Sequence, residues 1–316
     1  MRILVLGAGA LGGYFGGRLQ QAGADVTFLV RAGRRTQLER DGLVIESRHG
    51  DARLEVRSVA AGDVRPEFDV VLLTCKAYDL DAAIEAIEPA VGRETAILPV
   101  LNGISHMEVL NARFGRDAVL GGVAMIGAVL APDGRVRHLD DNREIVFGEQ
   151  DAPTSPRCEA LCRAFAAAPG VEVAAVPDIL RQMWQKLIML GTMASATCLM
   201  RANIGEILRG SAEGGALLRR ILQDTIEIAR AAGHPPGEAF VVQVRAMMSR
   251  EASTATASML RDLEAGGRIE AEHITGYLLR RAREHGLDDT LLATAYAHLK
   301  AYEQRRKAGR LPGADA

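Results

Sequence analysis

Aromatic side chains make up only 4% of this 316-residue chain, with a single Trp, so its core has to be built by aliphatic packing. Lysine is scarcer still. Of 38 basic residues only Lys76, Lys186, Lys300 and Lys307 are lysines, so a generic positive charge is supplied by Arg. A Lys kept in the chain interior points to a task that a guanidinium, which does not release its proton, cannot perform. The four cysteines (Cys75, Cys158, Cys162, Cys198) contain no C-x-x-C pair, which removes thiolate metal sites from consideration and leaves reduced, mostly buried thiols. An excess of either charge is also missing: 38 basic against 40 acidic residues give a formal net charge of -2, and neither nucleic acid nor an anionic membrane is expected as a partner. No apolar stretch reaches the roughly 18 residues that cross a bilayer. The N-terminus runs directly into a strand pattern, so a removable leader is not expected and the reading is a cytoplasmic protein. Repeats and low-complexity tracts are absent as well.

What is present begins at residue 2. An apolar run, Arg2–Leu6, leads into Gly7-Ala8-Gly9-Ala10-Leu11-Gly12, a small-residue helix pattern and a second apolar run ending at Val30. Gly7 suits a tight turn off a strand, Gly9 lets a pyrophosphate approach the backbone, and Gly12 lets the helix lie close to the sheet. The helix N-terminus directs its N–H groups and positive dipole end at the phosphates. G-x-G-x-x-G alone is weak, but its place between strand and helix patterns makes it a dinucleotide fingerprint. Where an NAD site carries Asp or Glu at the end of the second strand, this chain has Arg31, followed by Arg34 and Arg35. A guanidinium there fits the 2′-phosphate of NADP and offers no acceptor to a bare 2′-OH. An ordinary solvated loop arginine is the bland alternative.

Strand-like runs at 2–6, 26–30, 43–46, 54–59, 70–74 and 96–101 alternate with helical patterns at 11–22, 33–41, 79–91 and 104–113. This alternation predicts a Rossmann-type, doubly wound, mainly parallel α/β sheet. Further strands are predicted at 119–130, 135–139, 144–147 and 171–176, with a helix at 156–167. Pro132-Asp133-Gly134 predicts a turn into an antiparallel addition at the sheet edge. After Pro177 the pattern becomes helical (178–200, 203–208, 212–232, 237–249, 252–265, 270–285, 289–306), with Asp178 placed as an N-cap. The expected organisation is an NADP-binding domain over 1–176 and an all-helical catalytic and substrate domain over 177–316. The helical half has enough apolar faces for a homodimer, although its own core uses the same pattern.

Ligands in open α/β sheets sit beyond the carboxyl ends of the strands. Two such ends are polar: Thr74-Cys75-Lys76, where Lys76 is placed to reach the adenosine end of a cofactor, and Asn102-Gly103, which is either a simple turn or a bridge to nicotinamide and substrate. Lys186 lies in the mostly apolar segment Met183-Trp184-Gln185-Lys186-Leu187-Ile188, either as a snorkelling rim residue or as a group facing a site. Hydride reduction of a carbonyl needs a proton for the developing alkoxide, and Lys can give one. Ser258 and Asp262 share a helix face, and Glu270 follows Gly266-Gly267; these read locally as helix surface and a first-turn acid.

Together these segments resemble the ketopantoate reductase family (2-dehydropantoate 2-reductases) nearly end to end. The likeness is carried by R-I-L-V-L-G-A-G-A-L-G-G, Arg31, L-L-T-C-K-A, L-N-G, G-R-V-R-H, W-Q-K-L, S-M-L-R-D-L and G-R-I-E followed by G-Y-L-L-R-R-A-R-E-H-G. The resemblance implies NADPH-dependent reduction of a 2-oxo acid, ketopantoate, to (R)-pantoate in pantothenate synthesis. It implies that Gly7, Ala8, Gly9, Ala10, Leu11 and Gly12 hold the pyrophosphate and Arg31 the 2′-phosphate. Lys76, Asn102, Ala128 and Glu270 would contact the cofactor, and Asn102, Lys186 and Ser258 the substrate. Lys186 would protonate the carbonyl oxygen, with Glu270 setting the charge around it. The chain departs from the pattern where pocket asparagines are expected: Leu190, Ala194, Ile204 and Ala255 stand there, with Asn203 one residue away, and Asp288-Asp289 replaces a Pro-containing loop. A pocket without these amides suits a more apolar 2-oxo acid, since discrimination for a substrate hydroxyl depends on polar partners. A non-catalytic NADP-sensing protein would keep the glycines and Arg31 and have no use for Lys186.

Overall fold

Short apolar runs bounded by glycine and polar residues form buried strands rather than helices, and in the computed structural model, which describes residues 1–311, five of them make the first sheet. Strand β1 (Arg2–Leu6) lies between β2 (Asp25–Leu29) and β6 (Val70–Leu73), with β5 (Arg57–Val59) and β7 (Ala96–Pro99) at the edges, all parallel. Ile3, Leu4 and Val5 are fully buried, as strands covered on both faces require. Helices α1 (Ala10–Gln21), α2 (Ala32–Asp41), α3 (Leu80–Ile87) and α4 (Ser105–Phe114) connect the strands. The paired glycines of α1 explain its position. A Cβ on Gly16 would meet Phe28 and Val5 of the first sheet, and one on Gly17 would meet Leu43 and Ile45 of a second sheet.

That second sheet corrects the expectation of an edge addition to the first. Strands β3 (Leu43–Glu46) and β4 (Ala52–Leu54) join β9 (Val136–Gly148) and β10 (Glu172–Ala175) in the order β10-β9-β3-β4, and β8 (Gly121–Leu130) pairs antiparallel with β9. A parallel bridge between Ile97 and Val119 links the hairpin's approach to the first sheet. The two strands expected at 135–139 and 144–147 are one. The pairing shifts register between Ile126 and Ala128, and the Gly127 N–H donates to the Asp140 carboxylate at 3.0 Å, so the bulge carries the ladder past the polar stretch. Likewise, the run expected at 54–59 splits into β4 and β5, which belong to different sheets. Helix α5 (Pro156–Ala166), capped by Ser155, completes this part.

The remainder is helical: α6 (Ile179–Met200), α7 (Ile204–Gly210), α8 (Ala212–Ala231), α9 (Glu238–Met248), α10 (Ser258–Glu264), a π turn (Glu272–Gly276), α11 (Tyr277–Glu284) and α12 (Thr290–Lys307). Two expected helices are shorter than their sequence patterns. Residues 252–257 stay irregular because their carbonyls serve α7: Gly205 N–H donates to Ser253 O and Ile204 N–H to Ala255 O. The segment from 270 opens as a π turn. The chain divides into two compact units, one of Met1–Leu101 with His106–Leu180, the other of Asn102–Ser105 with the chain from Arg181 onward. The last five residues of the expected second domain lie outside the described residues. Among the described residues no single helix is long and apolar enough to cross a membrane.

Candidate active site

In the first unit the glycine loop lies at the end of a groove of about 720 Å³ lined by Gly7, Ala8, Gly9, Arg31, Asp79 and a run of alanines. Gly7 has φ +90°, a conformation that L side chains rarely adopt, and its N–H donates to Leu29 O at 2.8 Å. Gly9 caps α1 with no side chain of its own, no acidic residue occupies the first turn, and a Cβ there would meet nothing within 4 Å. The helix end is therefore open toward the groove. Gly12 is closed instead: a Cβ would lie 2.1 Å from Gly7 O and 2.5 Å from Thr74 Oγ1, and that hydroxyl donates to Leu6 O at 2.7 Å. This loop fits the pyrophosphate of a dinucleotide, which needs close backbone approach above and tight helix–strand packing below.

The three arginines after β2 separate into different tasks. Arg31 is 84% exposed at the rim, with Nη2 3.6 Å from Asp79 Oδ2. Arg34 turns inward: Nε donates to Ala8 O and Nη1 to Gly134 O, both at 2.9 Å, so it braces the glycine loop, and burial lowers its pKa. Arg35 pairs with Glu39 one turn along α2. Of the other expected cofactor residues, Ala10, Leu11 and Gly12 form the first turn of α1, and Ala128 sits in β8 opposite His138. Lys76 precedes the 3₁₀ turn Ala77–Asp79, and Asp79 rather than Lys76 lines this groove. Sequence reasoning singled out Thr74 as part of a polar strand end without giving its hydroxyl a task, and missed Asp79 and the inward turn of Arg34.

In the second unit the structure brings Asn102, Lys186 and Glu270 together. Glu270 is 3% exposed and accepts from Asn102 Nδ2 at 3.4 Å. Lys186 lies on α6, a helix anchored by fully or nearly buried neighbours and by Trp184, which stacks on His234 at 5.4 Å and 17°. Loss of water around the Lys186 ammonium lowers its pKa from 10.5 to about 8, against the opposing pull of the Glu270 carboxylate. A buried carboxylate that keeps a neighbouring ammonium charged, yet poised near neutrality, is the arrangement expected of a general acid.

Asn102 is held there by its own loop. Gly103 has φ +86°, and a Cβ on it would lie 2.7 Å from His273 O; Ser105 Oγ lies 3.3 Å from His273 Nδ1. The π turn widens the helix just after Glu270, a distortion common at functional sites. Neither the π turn nor His273 was readable in the sequence. Ser258 is the first residue of α10, half-buried, behind Ala257, whose N–H points to Thr197 Oγ1 at 3.5 Å.

Two of the positions lacking amides meet through the Ile204–Ala255 main-chain bond, and Ala194 is fully buried. Asn203 does not substitute for a pocket amide. Its carboxamide accepts from Glu206 N–H at 2.8 Å while Glu206 accepts from Asn203 N–H, a complete capping box that starts α7. Among the described residues no group of His, Cys, Asp or Glu could hold a metal ion.

Residues 3–152 match the family described as ketopantoate reductase PanE/ApbA, and residues 178–303 match its C-terminal counterpart. The chain is 36% identical over 306 residues to the "Uncharacterized oxidoreductase YkpB" of Bacillus subtilis (strain 168), covering 97% of this chain and all of that one. It is 29% identical to the 2-dehydropantoate 2-reductase of Halobacterium salinarum, over 93% of this chain and 96% of that protein. The crystal structure of 2-dehydropantoate 2-reductase from Methylococcus capsulatus superposes with a TM-score of 0.86 at 29% identity, covering 97% of this chain and 98% of that one.

Proposed function

The chain belongs to the ketopantoate reductase family and is an oxidoreductase, and from that premise we propose that it reduces 2-dehydropantoate to (R)-pantoate with NADPH, a step of pantothenate synthesis. The observation that carries this reading is the Lys186 ammonium, brought down to about 8 by burial and gathered with Glu270 and Asn102. Bound NADPH supplies the hydride that reduces the C2 carbonyl. Gly7, Ala8, Gly9 and the first turn of α1 hold its pyrophosphate, and Arg31 faces the 2′-phosphate. Lys186 Nζ donates a proton to the carbonyl oxygen as negative charge develops there, and Glu270 keeps that ammonium protonated before the transfer. Asn102 orients the reacting group, and Ser258 accepts the task of binding the substrate carboxylate.

A second reading changes only the substrate. Leu190, Ala194, Ile204 and Ala255 offer no amide, and Asn203 is engaged in capping, which favours a 2-oxo acid with an apolar side chain over one with a hydroxyl. Initial rates of NADPH oxidation across a panel of 2-oxo acids separate the two. The first reading expects the highest kcat/KM for 2-dehydropantoate, and a clear preference for an oxo acid lacking the hydroxyl would replace it with the second. Absence of turnover with every 2-oxo acid would defeat both.

A further inference from the structure

NAD sites place a carboxylate at the end of the second strand to accept from the ribose 2′-OH, and NADP sites replace it with a cation. This chain has both groups, from different elements. Arg31 stands at the end of β2, and Asp79, from the turn before α3, lines the same groove with Oδ2 3.6 Å from the guanidinium. Arg31 is 84% exposed while Asp79 is 28% exposed, so the carboxylate is the more fixed of the two and the guanidinium is the arm that can swing between partners.

Resting on the proposed nicotinamide-dependent reading, we infer that Asp79 sets the choice between the two nicotinamide dinucleotides. A 2′-phosphate has to take Arg31 away from Asp79 and then sit within a few ångströms of that carboxylate, a like charge that weakens binding. A bare 2′-OH finds in Asp79 the acceptor that the end of β2 lacks, and leaves the Arg31–Asp79 pair in place. The site is thereby a dual one, accepting NADPH with a small advantage over NADH rather than excluding the latter.

The test is calorimetric binding of NADPH and NADH to the full-length protein and to Asp79→Asn and Asp79→Glu variants, without substrate. Removing the charge in Asp79→Asn should raise the ratio of NADH to NADPH dissociation constants about threefold to tenfold, by tightening NADPH and weakening NADH, as expected for one unit charge at this separation. Asp79→Glu, which keeps the charge, should hold the ratio near that of the unmodified protein. The change in Asp79→Asn should also shrink as ionic strength rises. A ratio unchanged in Asp79→Asn, including equal weakening of both ligands, overturns the inference and leaves the reductase reading standing. Failure of the unmodified protein to bind either dinucleotide would instead defeat that reading.

Discussion

The two units carry their chemistry in different materials. In the first, the glycine loop works through backbone: a positive φ at Gly7, open space over Gly9 and no room for a Cβ at Gly12, with the side chain of Arg34 spent on holding Ala8 in place. In the second, three side chains make up the candidate site, and each has its own support: Asn102 a loop that packs on the distant His273, Glu270 the widened turn that follows it, Lys186 a helix packed through the stacking of Trp184 on His234. The backbone site has no room for an added atom at Gly12 and no strain-free place for one at Gly7. A side-chain site is sensitive to charge and protonation.

The sharpest way to break this contrast is Lys186→Ala. Loss of a positioned general acid should lower kcat by about 10² to 10⁴ while NADPH still binds, which stopped-flow turnover and calorimetry read separately; retained turnover would mean that the side-chain half of the contrast is wrong. Gly12→Ala tests the other half. Its Cβ would meet Gly7 O and Thr74 Oγ1, so the variant should lose about 1–3 kcal/mol of stability together with dinucleotide affinity, seen by thermal unfolding and titration. Gly103→Ala strains a positive φ and pushes against His273 O, at about 1–3 kcal/mol, and should lower kcat more than it raises KM for NADPH.

A smaller effect sharpens the electrostatic side. If Lys186 is the proton donor, as proposed, only its ammonium form supports reduction, and with its pKa lowered to about 8 kcat/KM for reduction should fall as pH rises through that value. Glu270 is the charge that holds this pKa up, so in Glu270→Gln the falling limb of the pH profile should move to lower pH. Asn203→Ala is the mildest. Removing the cap should cost about 1 kcal/mol of stability with kcat and KM unchanged, whereas a raised KM for the oxo acid would show that Asn203 reaches the substrate after all.

The same contrast governs what could be read in advance. Gly7, Gly9 and Gly12 could be singled out in advance because a backbone turn leaves its requirement in residue type and spacing, and Arg31 because a strand end fixes its place in the groove. Lys186 stood out through the scarcity of lysine, its place in an apolar segment and the family resemblance; Asn102 read locally as a turn or a bridge to nicotinamide and substrate, and Glu270 as a first-turn acid. Asn102 and Glu270 meet across a separation of 168 positions, which no local pattern encodes. The hairpin was recognised from Pro132-Asp133-Gly134, but its sheet was not, since turn chemistry fixes the bend and not the neighbour. Asn203, one residue from an expected amide, has its carboxamide oxygen committed to its own helix end.

One detail of the chain's course limits how this protein can be taken apart or recombined. Four residues, Asn102–Ser105, leave the sheet-bearing half, group with the helical half and hand the chain back at His106. A graft exchanging the C-terminal portion at Leu180 would transfer Lys186 and Glu270 yet leave behind the amide that donates to Glu270. Shuffled chimeras joined at that boundary inherit an incomplete site unless the tetrapeptide travels too, so the protein is modular in outline and not in heredity.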